Sequence, residues 1–341
     1  MNTSTASTTR LADEISSVPL NDRLIAFWIY IVLEILLISL NTLVFLTIKL
    51  CISSKNSAVF RFHCHHCLVN LLQGFIHIVL TLPITFTGRN IYTATSFYWF
   101  FRVAVASELI NFMTSMLLVL LCAVNAFFIF LSGKLHEKIF SGYSLNLLLA
   151  FTWLIPLAET LIETFTDCQK SFSYERLAFA YECLPEQEHQ FLFHNFDSYQ
   201  RLGYPALALL FNIFLYFYIQ WVLWKNRKSL GSSKKGRGEL FLVFQGLLIC
   251  LFTGGNAVTF NFIAPILLTG PVVPIGFPLL LNVATMSRAI AEPTLTILFN
   301  KSVTQGVKRL FRGQIGTDEN RFIVEPTRTK MIERSKASST N

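Results

Sequence analysis

Charged residues are scarce in this sequence. Lys, Arg, Asp and Glu make up 14% of its 341 residues, whereas soluble domains usually carry about a quarter. Apolar residues make up 53%, and the few polar residues are crowded into short stretches between long apolar segments, as in membrane-spanning chains. This composition excludes an ordinary soluble domain and predicts a membrane protein.

Several functional signatures are missing as well. The sequence contains no HExxH, no Gly-x-Ser-x-Gly and no glycine-rich phosphate-binding loop, so we expect neither an enzyme nor a cofactor. The formal charge of +8 is explained in a membrane protein by basic cytoplasmic loops, so no nucleic-acid partner is expected. The first 23 residues lack the apolar core of a cleavable signal peptide, so the first transmembrane helix is expected to target the chain to the membrane.

Seven apolar segments are long enough to cross a bilayer as helices, which takes about 20 residues. They run from Leu24 to Leu50, Phe62 to Thr87, Phe97 to Leu131, Leu145 to Phe165, Leu202 to Trp224, Leu240 to Leu268 and Val272 to Phe299. Merging the last two would carry one helix through Gly270, Pro271 and Pro274, which the steric demands of proline oppose. We predict an all-α membrane protein, a seven-transmembrane helix bundle.

Basic residues predict the orientation, since positively charged loops stay in the cytoplasm. Of the 28 Lys and Arg residues, twenty fall on the side of the C-terminus, seven on the other side and one, Arg288, inside the seventh segment. We therefore predict an N-terminus outside the cell and a cytoplasmic C-terminus. The predicted parts are an external tail at 1–23, the bundle at 24–299, an amphipathic membrane-surface helix at 300–312 and a disordered cytoplasmic tail at 313–341. The amphipathic segment is alternatively a plain extension of the last helix.

The cysteines divide into two groups. Cys168 and Cys183 lie in the longest predicted external loop, from about Asp167 to Arg201. In an oxidising compartment they are predicted to form a disulfide bond, the alternatives being free thiols or another partner. The other cysteines are expected to be reduced, and they are Cys51, Cys64, Cys67, Cys122 and Cys250.

Asn2-Thr3-Ser4 is a glycosylation sequon, with Asn2 as the acceptor.

Ionisable residues inside membrane segments are costly and mark functional positions. Here they are Glu34, Glu108, Glu159, Glu163, Arg288 and Glu292. Arg288 and Glu292 lie one helical turn apart, so an intramembrane ion pair is predicted. That pair is either structural or part of a polar network that rearranges on activation.

One face of the third segment is polar. Glu108, Asn111, Ser115 and Cys122 share this face, which is therefore predicted to face the bundle interior. Glu108 is either a partner for a cationic ligand group or a carboxylate held by neighbouring helices.

A second polar group, His63-Cys64-His65-His66-Cys67, has residue types that suit zinc. Five successive residues on a helix point in different directions, however, so at most two or three can converge. We expect a polar cytosolic helix end and no metal site.

Short motifs add a resemblance to G-protein-coupled receptors over nearly the whole chain. Matching positions are Ser39-Leu40-Asn41-Thr42-Leu43-Val44, Leu82-Pro83, Trp153 with Pro156, Asn125-Ala126-Phe127 where Asp-Arg-Tyr is usual, and Glu292-Pro293 where Asn-Pro is usual. Cys250-Leu251-Phe252-Thr253 replaces the usual Cys-Trp-x-Pro, and residues 97–107 lack the usual cysteine. Without a lysine in the seventh segment, a retinal Schiff base is excluded. Such divergent motifs are similar to those of nematode serpentine chemoreceptors, nearest to the Srx and Srxa types.

This resemblance implies a chemosensory receptor for olfaction in the plasma membrane of a sensory cilium. A small-molecule ligand would bind in the outer half of the bundle, at Glu108, Asn111 and His77, and a heterotrimeric G protein would be the partner. The expected coupling residues are Asn125, Lys134, Lys138, Lys225, Arg227, Lys228, Lys234, Lys235 and Arg237. Because the motif arginine after Asn125 is missing, a receptor that does not couple to G proteins is an alternative. A membrane transporter or channel is another.

Overall fold

A computed structural model describes residues 18–52, 57–92, 97–165, 168–173, 177–183, 189–225, 234–263 and 276–314. The α-helices are α1 Leu20–Cys51, α2 Ala58–Ile76, α3 Leu82–Thr87, α4 Tyr98–Leu131, α5 Gly133–Ile139, α6 Gly142–Phe165, α7 His189–Lys225, α8 Lys234–Val258, α9 Gly276–Phe299 and α10 Lys301–Phe311. A π-helical turn, His77–Thr81, joins α2 to α3, and a second one, Thr259–Ile263, extends α8. Strands β1 Cys168–Ser173 and β2 Ala178–Cys183 form a hairpin.

Six helical stretches in the described ranges are long and apolar enough to cross a membrane. They belong to α1, α2 with α3, α4, α6, α7 and α8. Helix α9 is less apolar because Arg288, Glu292 and Pro293 lie within it, but it packs against α1 and α8 as a member of the same bundle. The structure confirms an all-α membrane protein and is consistent with the seven-transmembrane bundle predicted from hydropathy.

The bundle is a ring of helices with a polar interior. Going round it, α1 packs against α2, α2 against α4, α4 against α7, α7 against α8, α8 against α9, and α9 closes on α1, while α6 packs against α4 outside this ring. Large apolar side chains such as Trp28 and Phe217 are exposed on the outer surface, whereas Asn41 and Asn70 are completely buried. This distribution suits lipid, because polar groups must find their partners inside the protein.

The hairpin covers one end of the bundle, which we call the hairpin end. Its strands pair antiparallel, from Cys168 opposite Cys183 to Ser173 opposite Ala178. Leu177 lies just before β2 with a φ of 46°, and it is buried in an apolar cluster with residues of α1, α3, α4 and α9. An L-residue in this left-handed region loses about 1–2 kcal/mol, which the burial of the leucine side chain offsets.

Helix α10 packs against α1 at the opposite end. Asn300 caps it, since its side-chain oxygen accepts from the backbone N–H of Ser302 at 3.1 Å and of Val303 at 3.3 Å. Gly306 is buried where the two helices touch, and a Cβ there would lie only 2.6 Å from the Cγ2 atom of Thr47. The glycine therefore allows the close approach of α10 to α1.

The structure differs from the predicted boundaries at the start of α7. The segment up to Arg201 was predicted to be loop, but α7 already begins at His189. That prediction was wrong because hydropathy detects the apolar part of a helix and misses a polar extension of it. Gly270, Pro271 and Pro274, which are predicted to separate the last two segments, lie outside the described residues.

Candidate functional site in the bundle core

The first polar group of the core is centred on Arg288. This side chain extends from α9 to α4, where its Nη1 donates to the hydroxyl of Ser115 and its Cζ lies 5.9 Å from the ring centroid of Phe112. Arg288 is 4% exposed, and the carboxylates of Glu108 and Glu292 both interact electrostatically with it. A buried guanidinium with two acidic neighbours thus joins α4 to α9.

Further side chains contact the ring of Phe112. The Cζ of Arg201, from α7, lies 5.4 Å from the ring centroid, so two guanidinium groups contact the same ring. The ring of Phe260, from the π-helical end of α8, meets it edge-on at 6.4 Å. Cation–π contacts stabilise by about 0.5–2 kcal/mol each when they are desolvated. Helices α4, α7, α8 and α9 therefore converge on this position.

Buried polar atoms without a partner in the described ranges occur on three of these helices, α4, α8 and α9. Within the described part of the chain, Nε and Nη2 of Arg288, Nδ2 of Asn111 and both amide atoms of Asn256 have no hydrogen-bond partner. All three residues are at least 96% buried. A buried polar group without a partner costs about 1–3 kcal/mol, and a charged one costs more. The group thus has more hydrogen-bonding capacity than it uses.

The second polar group joins α1 to α2 and lies nearer the hairpin end than the first. Nδ1 of His77 lies 2.7 Å from Oε1 of Glu34, and its Nε2 lies 3.2 Å from Nε2 of Gln73. All three side chains are buried, and the imidazole stacks on Phe179 of β2 at 6.3 Å. Since His77 begins the π-helical turn, this group lies where the regular hydrogen-bond pattern of the helix changes.

The third polar group is built on Glu292 and joins α1, α2 and α9. Oε2 of Glu292 lies 3.0 Å from Nδ1 of His66 and accepts from Nδ2 of Asn70 at 3.3 Å. Asn70 also donates to Oδ1 of Asn41 at 3.1 Å, and Asn41 donates to the backbone carbonyl of Ala289 at 3.1 Å. The side chains of three helices thus form one continuous network.

The ion pair predicted between Arg288 and Glu292 therefore takes another form. The carboxylate of Glu292 contacts histidines of α2, while Arg288 turns to Ser115 on α4. One-turn spacing placed the two residues on one face of α9, but each finds its nearest partner on a neighbouring helix. Their interaction is electrostatic and less direct than predicted.

Residues 63–67, predicted to form a polar helix end, lie in the second and third turns of α2, and four of the five are buried. His63 and His66 are buried, and their Nδ1 atoms lie 3.9 and 3.0 Å from the carboxylate of Glu292. His65 points elsewhere and accepts from Nε1 of Trp153 at 3.1 Å. No cluster of three or more His, Cys, Asp or Glu side chains suited to a metal occurs among the residues that the structure describes.

A family comparison is consistent with this architecture. The sequence model of the serpentine type 7TM GPCR chemoreceptor Srx family matches residues 31–287, from α1 to α9. The chain belongs to the Srx chemoreceptor family. Comparison with the curated proteins gives no significant match.

The predicted ligand-contacting residues of this chemoreceptor are all buried. Glu108, Asn111 and His77 are 4%, 2% and 1% exposed. The first two lie on the face of α4 that carries Ser115, and that face looks into the bundle as predicted. His77 belongs to the group with Glu34, so the structure distributes the three residues over two polar groups.

The predicted coupling residues of the receptor fall into three classes. Asn125 is buried, and its Oδ1 lies 3.0 Å from Nε2 of His136 on α5. Lys134, Lys138 and Lys225 are exposed, and Nζ of Lys225 lies 5.3 Å from the ring centroid of Trp221. Arg227 and Lys228 lie outside the described residues, as do the side chains of Lys234, Lys235 and Arg237.

The predicted modifications of the receptor lie partly outside the described residues. Asn2 is outside them, and so are the side chains of Cys168 and Cys183, although their backbones pair directly across the hairpin. The disulfide bond therefore stays a prediction. The other five cysteines carry free thiols, as expected, and they are Cys51, Cys64, Cys67, Cys122 and Cys250.

A polar stripe along α2 and the start of the π-helical turn was not predicted, although its spacing is visible in the sequence. His63, His66, Asn70, Gln73 and His77 recur at alternating spacings of three and four residues, which is the spacing of one helix face. All five are buried in the receptor. A polar stripe of this kind on an apolar helix predicts the face that looks into a membrane bundle.

Proposed function

We propose that this Srx-family protein is a plasma-membrane chemosensory receptor that binds a small molecule in the bundle and signals to a heterotrimeric G protein. The observation that carries the proposal is the buried group formed by Glu108, Arg288 and Phe112 within a chemoreceptor-family bundle. Ionisable groups in a membrane interior mark functional positions by default. Within the described residues, several hydrogen-bond donors of this buried group have no partner and are available to a ligand.

Helix α9 is suited to transmit the binding event. Arg288 connects it to α4 through Ser115, and one turn further Glu292 connects it to α2 through His66. A ligand that prefers one arrangement of Arg288 therefore changes the relative stability of two arrangements of the same helix. A displacement of α9 would change its contacts with α2 and α4 together.

The end opposite the hairpin provides the proposed coupling surface. We place it in the cytoplasm, with the N-terminus outside, on the basis of the basic residues. Lys134, Lys138 and Lys225 are exposed there and would meet an acidic surface of the G protein. Asn125 is buried, so its role would be to hold α5 through His136 rather than to touch the partner.

The test uses cells that express the chain with an N-terminal epitope tag and a G-protein activation reporter. Surface labelling of intact cells checks the orientation, and a panel of small acids, amides and amines supplies the ligands. Ligand-dependent activation by any member supports the proposal. Silence across the panel, together with ion or solute flux in vesicles containing the purified protein, would favour a channel or transporter instead.

Glu108→Gln tests the pocket itself. This substitution keeps the shape of the side chain and removes its charge, so the potency of the activating ligand should change by about tenfold or more. Glu159→Gln is the matched control, because Glu159 lies on α6, outside the ring, and accepts from Gln200 at 2.8 Å. Equal potency in wild-type and E108Q receptors would remove Glu108 from the pocket.

A further inference from the structure

The unused edge of Arg288 has the geometry of a carboxylate-binding site. Its Nη1 donates to Ser115, whereas Nε and Nη2 have no partner in the described part of the chain. Nε and Nη2 lie side by side on one edge of the planar guanidinium group. That edge presents two parallel N–H donors, the arrangement that binds a carboxylate in bidentate fashion.

Neighbouring amides add donors on two other helices. Asn111 lies one turn from Ser115 on α4, and its Nδ2 has no partner among the described residues. Asn256 lies on α8 about one turn before Phe260, whose ring contacts Phe112, and its amide is likewise unpartnered within the described ranges. Within the described ranges, unused donors therefore occur on α4, α8 and α9, the helices that bring Phe112, Phe260 and Arg288 into contact.

Two cationic side chains flank the ring of Phe112, while Glu292 and Glu108 both interact electrostatically with one of them, Arg288. The guanidinium groups of Arg201 and Arg288 both contact Phe112, whereas Glu108 is the acidic side chain on the same face of α4. Glu292 is engaged by α2 through His66 and Asn70. A cationic ligand group would meet two guanidinium groups here, and such like-charge contacts are unfavourable.

We propose that the ligand of this receptor is a small organic acid whose carboxylate binds Nε and Nη2 of Arg288 and the amide of Asn111. Glu108 would compete with the ligand for Arg288 and so set the affinity. The inference rests on the proposed function, since it names the class of ligand for that same site.

The experiment measures the thermal stability of the purified full-length receptor in detergent. Hexanoate and benzoate are titrated beside their amides and the corresponding amines. The two carboxylates should raise the melting temperature in a saturable way, because they bind the folded state. The proposal is overturned if neither carboxylate stabilises the receptor, or if the amides or amines stabilise it equally well.

Two substitutions locate the site. Arg288→Lys keeps the charge and removes the paired donors, so carboxylate binding should weaken about tenfold to hundredfold. Arg102→Lys is the matched control on α4, since Arg102 contacts Tyr98, and should leave binding unchanged. Undiminished binding by R288K would overturn the assignment.

A second variant covers the case in which R288K does not fold. Asn111→Asp is nearly isosteric and places a carboxylate among the donors. It should raise the stability of the free receptor and abolish the stabilisation by hexanoate, whereas unchanged hexanoate binding would contradict the proposal. Glu108→Gln should strengthen hexanoate binding by about tenfold, since it removes the competing charge.

The outcomes separate this inference from the proposed function. Activation of the G protein in cells by an amine or amide, without carboxylate binding, would refute the acid site and leave the receptor function standing. Saturable carboxylate binding without G-protein activation would support the acid site and count against signalling.

Discussion

Asn41 offers the sharpest test of the network that joins α1, α2 and α9. Its Nδ2 donates to the carbonyl of Leu37 within α1 at 2.9 Å and to that of Ala289 on α9 at 3.1 Å. Its Oδ1 accepts from Asn70 on α2 at 3.1 Å. Asn41→Ala therefore removes two hydrogen bonds between helices at a fully buried position.

The expected loss follows from the strength of such bonds. Hydrogen bonds between membrane helices contribute about 0.6 kcal/mol on average and about 1.7 kcal/mol at most. The two lost bonds, together with the small cavity, should lower the free energy of unfolding by about 1–3 kcal/mol. That corresponds to a fall in Tm of about 2–10 °C. The carbonyl of Ala289 keeps Asn70 as a donor at 3.5 Å, so the loss should not exceed this range.

The assay is thermal unfolding of the purified receptor in detergent, with a double-mutant cycle to Asn70→Ala. The bond between the two side chains should give a coupling energy of about 0.6 kcal/mol or more. Asn261→Ala is the matched control, because Asn261 donates to Ala257 of its own helical segment at 2.9 Å. If N41A is destabilised no more than N261A and the double-mutant cycle shows no coupling energy, Asn41 does not stabilise the packing of these helices.

Two further predictions concern the ends of the bundle. Gly306→Ala should destabilise the receptor by about 1–3 kcal/mol in the same assay, because the new Cβ lies 2.6 Å from Thr47. Gly254→Ala, whose Cβ would have ordinary contacts, should be neutral or stabilising, and equal effects of the two changes would contradict the close packing. At the hairpin end, Cys168 opposes Cys183 in the strand register, where Cα atoms lie about 4.5–5.5 Å apart, within disulfide range. Mass spectrometry of the non-reduced chain should find their peptides linked, and alkylation of both thiols without a reductant would refute the bridge.

Hydropathy located the helices well wherever the whole helix is apolar. The third segment was predicted from Phe97 to Leu131, and α4 runs from Tyr98 to Leu131. The fifth was predicted from Leu202, but α7 begins at His189, because the polar first turns carry no hydropathy signal. Periodicity likewise identified the buried face of α4, since Glu108 and Asn111 share it. Local patterns therefore predicted most of the helices and the buried face of α4, whereas the polar face of α2 was not predicted.

Partners between helices were harder to predict. The sequence shows Arg288 and Glu292 one turn apart, but it does not show that α2 brings His66 and Asn70 to the carboxylate. Which side chains meet depends on the rotation and depth of each helix, which are set by packing against several neighbours. The convergence of Arg201 on Phe112 is a tertiary result of the same kind.

Whether this Srx-family protein is a receptor is decided by measuring G-protein activation in tagged, surface-labelled cells. Hexanoate, hexanamide and hexylamine are each applied over a range of concentrations, with untransfected cells as the control. Hexanoate should activate the receptor in a saturable way, and this activation should be lost or strongly weakened in R288K and retained in R102K. Surface-expressed receptor that stays silent to all three compounds, while the purified protein conducts ions or solutes across vesicles, would contradict it.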